Sequence, residues 1–139
     1  MTAQLLIVLG SLPFLILGVL HAVFTALDMR NPRRLVPKDA AVADAMAKTT
    51  IRLAPSRTMW RAWVGFNLSH SLGAVVFGLL YLLLAVLEFD VLTSRPVFVY
   101  LAVIIGGIYV TLSLKYWFIV PTVGTGLGTL CFLLGAVML

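Results

Sequence analysis

Residues 28–62 read DMRNPRRLVPKDAAVADAMAKTTIRLAPSRTMWRA, and they hold eight of the chain's ten Lys and Arg residues: Arg30, Arg33, Arg34, Lys38, Lys48, Arg52, Arg57 and Arg61. On both sides of this stretch the sequence is almost wholly apolar. That division predicts a multi-span membrane protein and also orients it, because Lys- and Arg-rich loops beside span ends stay on the cytoplasmic side.

The rest of the composition agrees. The chain has 139 residues, of which 62% are hydrophobic, and its mean hydropathy is +1.11. Soluble domains use roughly 45–50% apolar residues. A span takes about 20 residues, so four spans and one loop use the whole chain, read as a single domain from 1 to 139. The net charge of +5 comes without any nucleic-acid recognition motif, which excludes nucleic acid as a partner class. Anionic headgroups are the partner this charge predicts, at about 1 kcal/mol per basic residue near the surface. Cys131 is the only cysteine. It has no partner for an internal disulfide and reads as a small buried hydrophobe.

Working outward from the basic stretch, the first span covers about 4–27. It lacks a positive n-region and exceeds a signal-peptide core in length, so it reads as retained. The second span covers about 62–87. A polar link with Glu88, Asp90, Thr93, Ser94 and Arg95 leads to Pro96, a favourable opening residue for a helix, and to a third span over about 97–114. An unbroken helix from there to Leu139 would be roughly 66 Å long at 1.5 Å per residue, about twice the hydrocarbon thickness. The break falls at 115–121, where Lys115 snorkels, Tyr116 and Trp117 suit the interface, and Pro121 opens a fourth span over 121–139. With loop 28–61 inside, nine basic residues are cytoplasmic and only Arg95 is outside. Both termini are then periplasmic.

Within the loop, Asp39 predicts the cap of a helix over about 40–54, closed by Pro55. Asp44, Lys48 and Arg52 share one face, and Val42, Met46 and Leu53 another, as in a helix lying in the headgroup plane. Ser56 is expected to cap the following span, with Trp60 and Trp63 as interfacial anchors. Arg33, Arg34, Lys38, Lys48, Arg52, Arg57 and Arg61 form the membrane-surface set.

Both histidines fall inside spans, where ionisable residues are costly. Ser11, Phe14, Gly18, His21, Thr25 and Asp28 recur at steps of three and four, as do Trp63, Asn67, His70, Ala74, Phe77 and Tyr81. Each series marks one helix face. His21 lies about 9 Å, and His70 about 12 Å, from the cytoplasmic span ends at helical rise, so the two imidazoles are expected at one level. Three roles stay open for His21, His70 and Asn67. They are hydrogen-bonded glue between helices, axial ligation of a b-type haem by the two imidazoles, or a pocket for a lipophile such as a quinone or lipid. No metal-ligand pair, Walker loop, dinucleotide fingerprint or serine elbow is present, and whether the chain is an enzyme stays open. Gly18, Gly65, Ser69, Gly73, Gly124 and Gly128 are close-packing positions, several in small-xxx-small patterns. These surfaces join helices within the chain or join it to a homo-oligomer or larger complex.

Trp60-Arg-Ala-Trp-Val-Gly-Phe-Asn-Leu-Ser-His-Ser-Leu-Gly73, His21 and the Tyr116-Trp117-Phe118…Pro121 run together resemble a family of small, uncharacterised bacterial four-span integral membrane proteins. The resemblance covers most of the chain. It implies the four-span fold and a bacterial inner membrane, and it carries no known activity.

The expected fold is therefore an all-α, antiparallel four-transmembrane-helix bundle with a basic amphipathic cytoplasmic loop. The expected function is a non-catalytic accessory, interaction or lipid-binding component. The alternative is a haem- or lipophile-binding protein built on His21, Asn67 and His70.

Overall fold

Long apolar runs favour helices, because in lipid the backbone N–H and C=O groups must be bonded within the protein, and a helix bonds them within its own segment. The computed structural model describes residues 2–139. In chain order its elements are α1 (Ala3–Arg30), α2 (Ala40–Lys48), β1 (Thr50–Ile51), β2 (Ala54–Thr58), α3 (Met59–Leu87), α4 (Phe89–Ser94), α5 (Val97–Tyr116) and α6 (Ile119–Val137). Four of these, α1, α3, α5 and α6, are long and apolar enough to cross a membrane. The chain is an all-α, multi-pass membrane protein.

The span ends follow local chemistry. Trp117 and Phe118 are extended and break α5 from α6 inside the expected 115–121 window. Pro121 sits in the first turn of α6, where its missing N–H is not needed. Pro96 caps α5 rather than opening it. The polar link before it is helical: α4 is a short helix in which the Ser94 hydroxyl donates to the Asp90 carbonyl at 2.7 Å, and Leu92 is fully buried.

The basic segment departs from expectation. Asp39 does cap α2, accepting from the Ala41 N–H at 2.8 Å, but the helix stops at Lys48 instead of continuing to residue 54. Thr49, Thr50 and Ile51 are β-branched and lose side-chain freedom in a helix. They turn the chain into an antiparallel hairpin pairing Thr50 with Thr58 and Ile51 with Ala54. Pro55 thus lies within β2 and closes no helix. Ser56 lies there too, and the hydroxyl that accepts at the start of α3 is that of Thr58, from the Arg61 N–H at 3.3 Å.

Residues 18–73 form one compact unit, and residues 2–17 with 74–139 form another. The second of these is an antiparallel bundle of four helical segments. The Gln4 amide donates to the Ala85 carbonyl at 2.8 Å, and a side chain at Gly78 would meet the backbone of Ser11 and Leu15. These contacts run α1 and α3 in opposite directions. Along α6, Gly124, Gly128 and Gly135 face Leu17, Gly10 with Phe14, and Ile7 in turn, which is again antiparallel. Gly106 of α5 lies against Thr129 of α6.

The centre of this bundle is aromatic. Phe14 meets Phe77 edge-on with ring centroids 4.8 Å apart, and Tyr81 and Phe132 are 5.4 Å apart. Tyr109 joins them at 5.6 Å from Phe14. Edge-to-face pairs of this kind contribute about 0.5–1.5 kcal/mol each. The Tyr81 hydroxyl is bonded to the Phe98 carbonyl at 2.7 Å, which fixes α5 against α3. Association here rests on close packing, since lipid supplies little hydrophobic drive between helices. A Cβ at Gly124 would meet Leu17, and one at Gly128 would meet Gly10 and Phe14.

Candidate functional site

The polar faces read from sequence point inward. Thr25, Asp28, Asn67 and Ser71 are all buried in the unit formed by residues 18–73, and His21 and His70 are half-buried.

His21 Nε2 and Asn67 Oδ1 are 2.8 Å apart. The orientation of the Asn67 amide is set by its own NH2, which donates to the Trp63 carbonyl at 2.7 Å. Its oxygen therefore faces His21, and His21 must donate from Nε2. The His21 and His70 rings meet nearly perpendicular at 5.6 Å. His70 is in turn stacked on Phe66 at 6.3 Å. Two further hydroxyls bond to the carbonyls of these residues, Thr25 to His21 at 2.8 Å and Ser71 to Asn67 at 2.7 Å. The three residues selected from sequence are thus brought together at one level.

The arrangement is that of a clasp between α1 and α3. Axial ligation of a haem iron needs a lone pair from each imidazole directed at one point, with the macrocycle plane between the rings. Nε2 of His21 instead carries a proton donated to Asn67, and the Asn67 amide fills the space in front of that nitrogen. These residues, placed this way, do not fit a bis-histidine haem.

The second feature of the unit was missed by the sequence reading. Asp28, only 2% exposed, accepts the backbone N–H groups of Arg33 at 3.1 Å, Arg34 at 3.0 Å and Leu35 at 2.6 Å. The Arg34 guanidinium stands 3.7 Å from the same carboxylate and over the Phe24 ring at 5.4 Å. On the far side, the Trp63 indole donates to the Leu35 carbonyl at 2.8 Å. One carboxylate and one indole therefore fold residues 31–35 into a fixed turn. The available signal was a carboxylate at a span end followed by Asn31-Pro32, a turn-forming pair.

All seven predicted surface cations, Arg33, Arg34, Lys38, Lys48, Arg52, Arg57 and Arg61, are exposed. Lys48 is paired with Asp44 at 2.7 Å, an exposed helix pair of little energetic weight. The packing positions of this unit divide. Gly18 is buried, but Gly65, Ser69 and Gly73 are exposed, and a side chain at Gly65 would meet nothing within 4 Å. Among the described residues no group of three His, Cys, Asp or Glu side chains is placed to hold a metal ion. The chain matches no protein-family model, and it is significantly similar to no curated protein and to no solved structure.

Proposed function

We propose that this protein is a non-catalytic component of a bacterial cytoplasmic membrane, an accessory or interaction subunit that binds anionic lipid along its basic segment. One observation carries the reading. The polar side chains of α1 and α3 that a reaction would draw on are tied to one another and to backbone groups, whereas seven cations are exposed. Polar contacts of this kind between membrane helices contribute about 0.6 kcal/mol each. Their role is to hold helices in register.

The outward row of Gly65, Ser69 and Gly73 supports a partner, because small residues let a second helix approach closely. The partner is a larger membrane complex or a second copy of this chain. Orientation follows from the nine-to-one distribution of cations, with residues 31–58 cytoplasmic and both termini periplasmic.

Reporter fusions test this orientation. Alkaline phosphatase, active only outside, is expected to be active when fused after Leu139 and inactive when fused at residue 45. A fluorescent protein that matures only in the cytoplasm should give the reverse pattern. An inverted pattern would remove the cytoplasmic basic surface and the lipid reading with it.

A further inference from the structure

The basic segment is more than a diffuse patch of charge. We infer that Arg33, Arg34 and Lys38 form a preordered niche for the phosphate of one anionic phospholipid headgroup, an inference that rests on the lipid-binding reading above. The three residues line an open depression of about 610 Å³ between the turn after α1 and the start of α2, together with Pro32, Val36 and Pro37.

Three features suit it to a phospholipid. First, no carboxylate lines it. Asp39, the nearest acid in sequence, caps α2. Second, the two arginines are held before any ligand arrives. Asp28 fixes the backbone of Arg33 and Arg34, the Arg34 guanidinium rests on Phe24, and Arg33 Nε donates to Asn31 at 3.2 Å. Arg33 keeps its terminal nitrogens for an oxygen pair, the geometry in which guanidinium groups bind phosphate. Arg34 is partly neutralised by Asp28, so Arg33 and Lys38 supply most of the attraction. Third, Pro32, Val36 and Pro37 give the depression apolar walls, matched to a glycerol backbone below a phosphate. The turn begins at Asn31, directly after the last residue of α1, where headgroup phosphates lie.

Native mass spectrometry of the full chain, released from nanodiscs containing phosphatidylglycerol and phosphatidylcholine, tests the niche. The wild type is expected to retain one phosphatidylglycerol. Arg33→Gln with Lys38→Gln should weaken retention at least about tenfold, since each basic residue near the surface adds to the attraction for anionic lipid. Lys48→Gln with Arg57→Gln removes equal charge elsewhere on the segment and should weaken retention clearly less than the niche variant does. Equal loss in both variants, or loss in neither, overturns the niche. Inorganic phosphate added at the same concentration should not displace the lipid, and displacement would make this a soluble-anion site instead. All four side chains are exposed, so both variants should melt with the wild type. The reporter pattern at residue 45 is independent of this result, which separates failure of the niche from failure of the orientation.

Discussion

Replacing Gly78 with valine will disrupt the bundle, lowering stability by about 3 kcal/mol or more, at or beyond the upper end of ordinary overpacking costs. A Cβ at this position would stand 2.7 Å from the Leu15 nitrogen and 2.8 Å from the Ser11 carbonyl oxygen. Both are backbone atoms, so no rotamer change relieves the clash and α1 must move away from α3. Moving α1 also opens the aromatic centre, because Phe14 lies on the same helix as Ser11. Gly128 faces a similar barrier, with the Gly10 carbonyl oxygen and the Phe14 ring each 2.8 Å from its added Cβ. Gly65, Gly107 and Gly126 are the contrast, since an added Cβ there meets nothing within 4 Å. Alanine at those three should be neutral or slightly stabilising, given the helix preference of alanine over glycine by about 0.5–1 kcal/mol. Thermal unfolding of the purified variants in one detergent checks this. A Gly78→Val protein that melts with the wild type would contradict the packing described.

The second large effect is expected at Asp28. Its carboxylate is the common acceptor for three successive backbone donors, and Asp28→Ala leaves all three without it. An unmade bond of this kind costs about 1–3 kcal/mol. The turn lies next to water, which recovers part of that, so a total of about 3 kcal/mol is expected. The direct reading is limited trypsin digestion. In the wild type, Arg33 and Arg34 sit in the fixed turn and should be cut more slowly than Arg52 and Arg57 of the hairpin. In Asp28→Ala the order should reverse, and the Trp63 indole should lose its Leu35 acceptor and shift its fluorescence. Asp28→Asn keeps an acceptor oxygen but loses the charge and the second acceptor, so it should fall between. Unchanged protection in Asp28→Ala would mean that the turn is held by Pro32 and Pro37 alone.

How far the sequence could be read differs from element to element, and the differences have physical causes. The spans were legible because hydrocarbon thickness imposes a length and excludes charge. The inward faces were legible too. Phe14, Phe77 and Tyr81 are buried at the bundle centre, and His21, Asn67 and His70 meet as their spacing implied. The hairpin was not legible, because the apolar residues at 42, 46 and 53 carry a helical period through a stretch whose β-branched residues oppose it. Only the Asp44–Lys48 pair of that pattern forms. Asp28 showed its face but not its task, since an acceptor that reaches five to seven residues onward depends on turn geometry rather than on periodicity. Gly65, Ser69 and Gly73 illustrate a third limit. Small-residue spacing identifies a surface that admits another helix, yet it carries no information about which chain provides that helix.

His21, Asn67 and His70 form a clasp between α1 and α3. A double-mutant cycle on His21→Ala and Asn67→Ala, read by unfolding in mild detergent, measures that clasp. A favourable coupling energy of about 0.6 kcal/mol, the average for hydrogen bonds between membrane helices, and no more than about 1.7 kcal/mol, is the predicted result. Strictly additive single effects would contradict the clasp and return these side chains to the role of a ligand site.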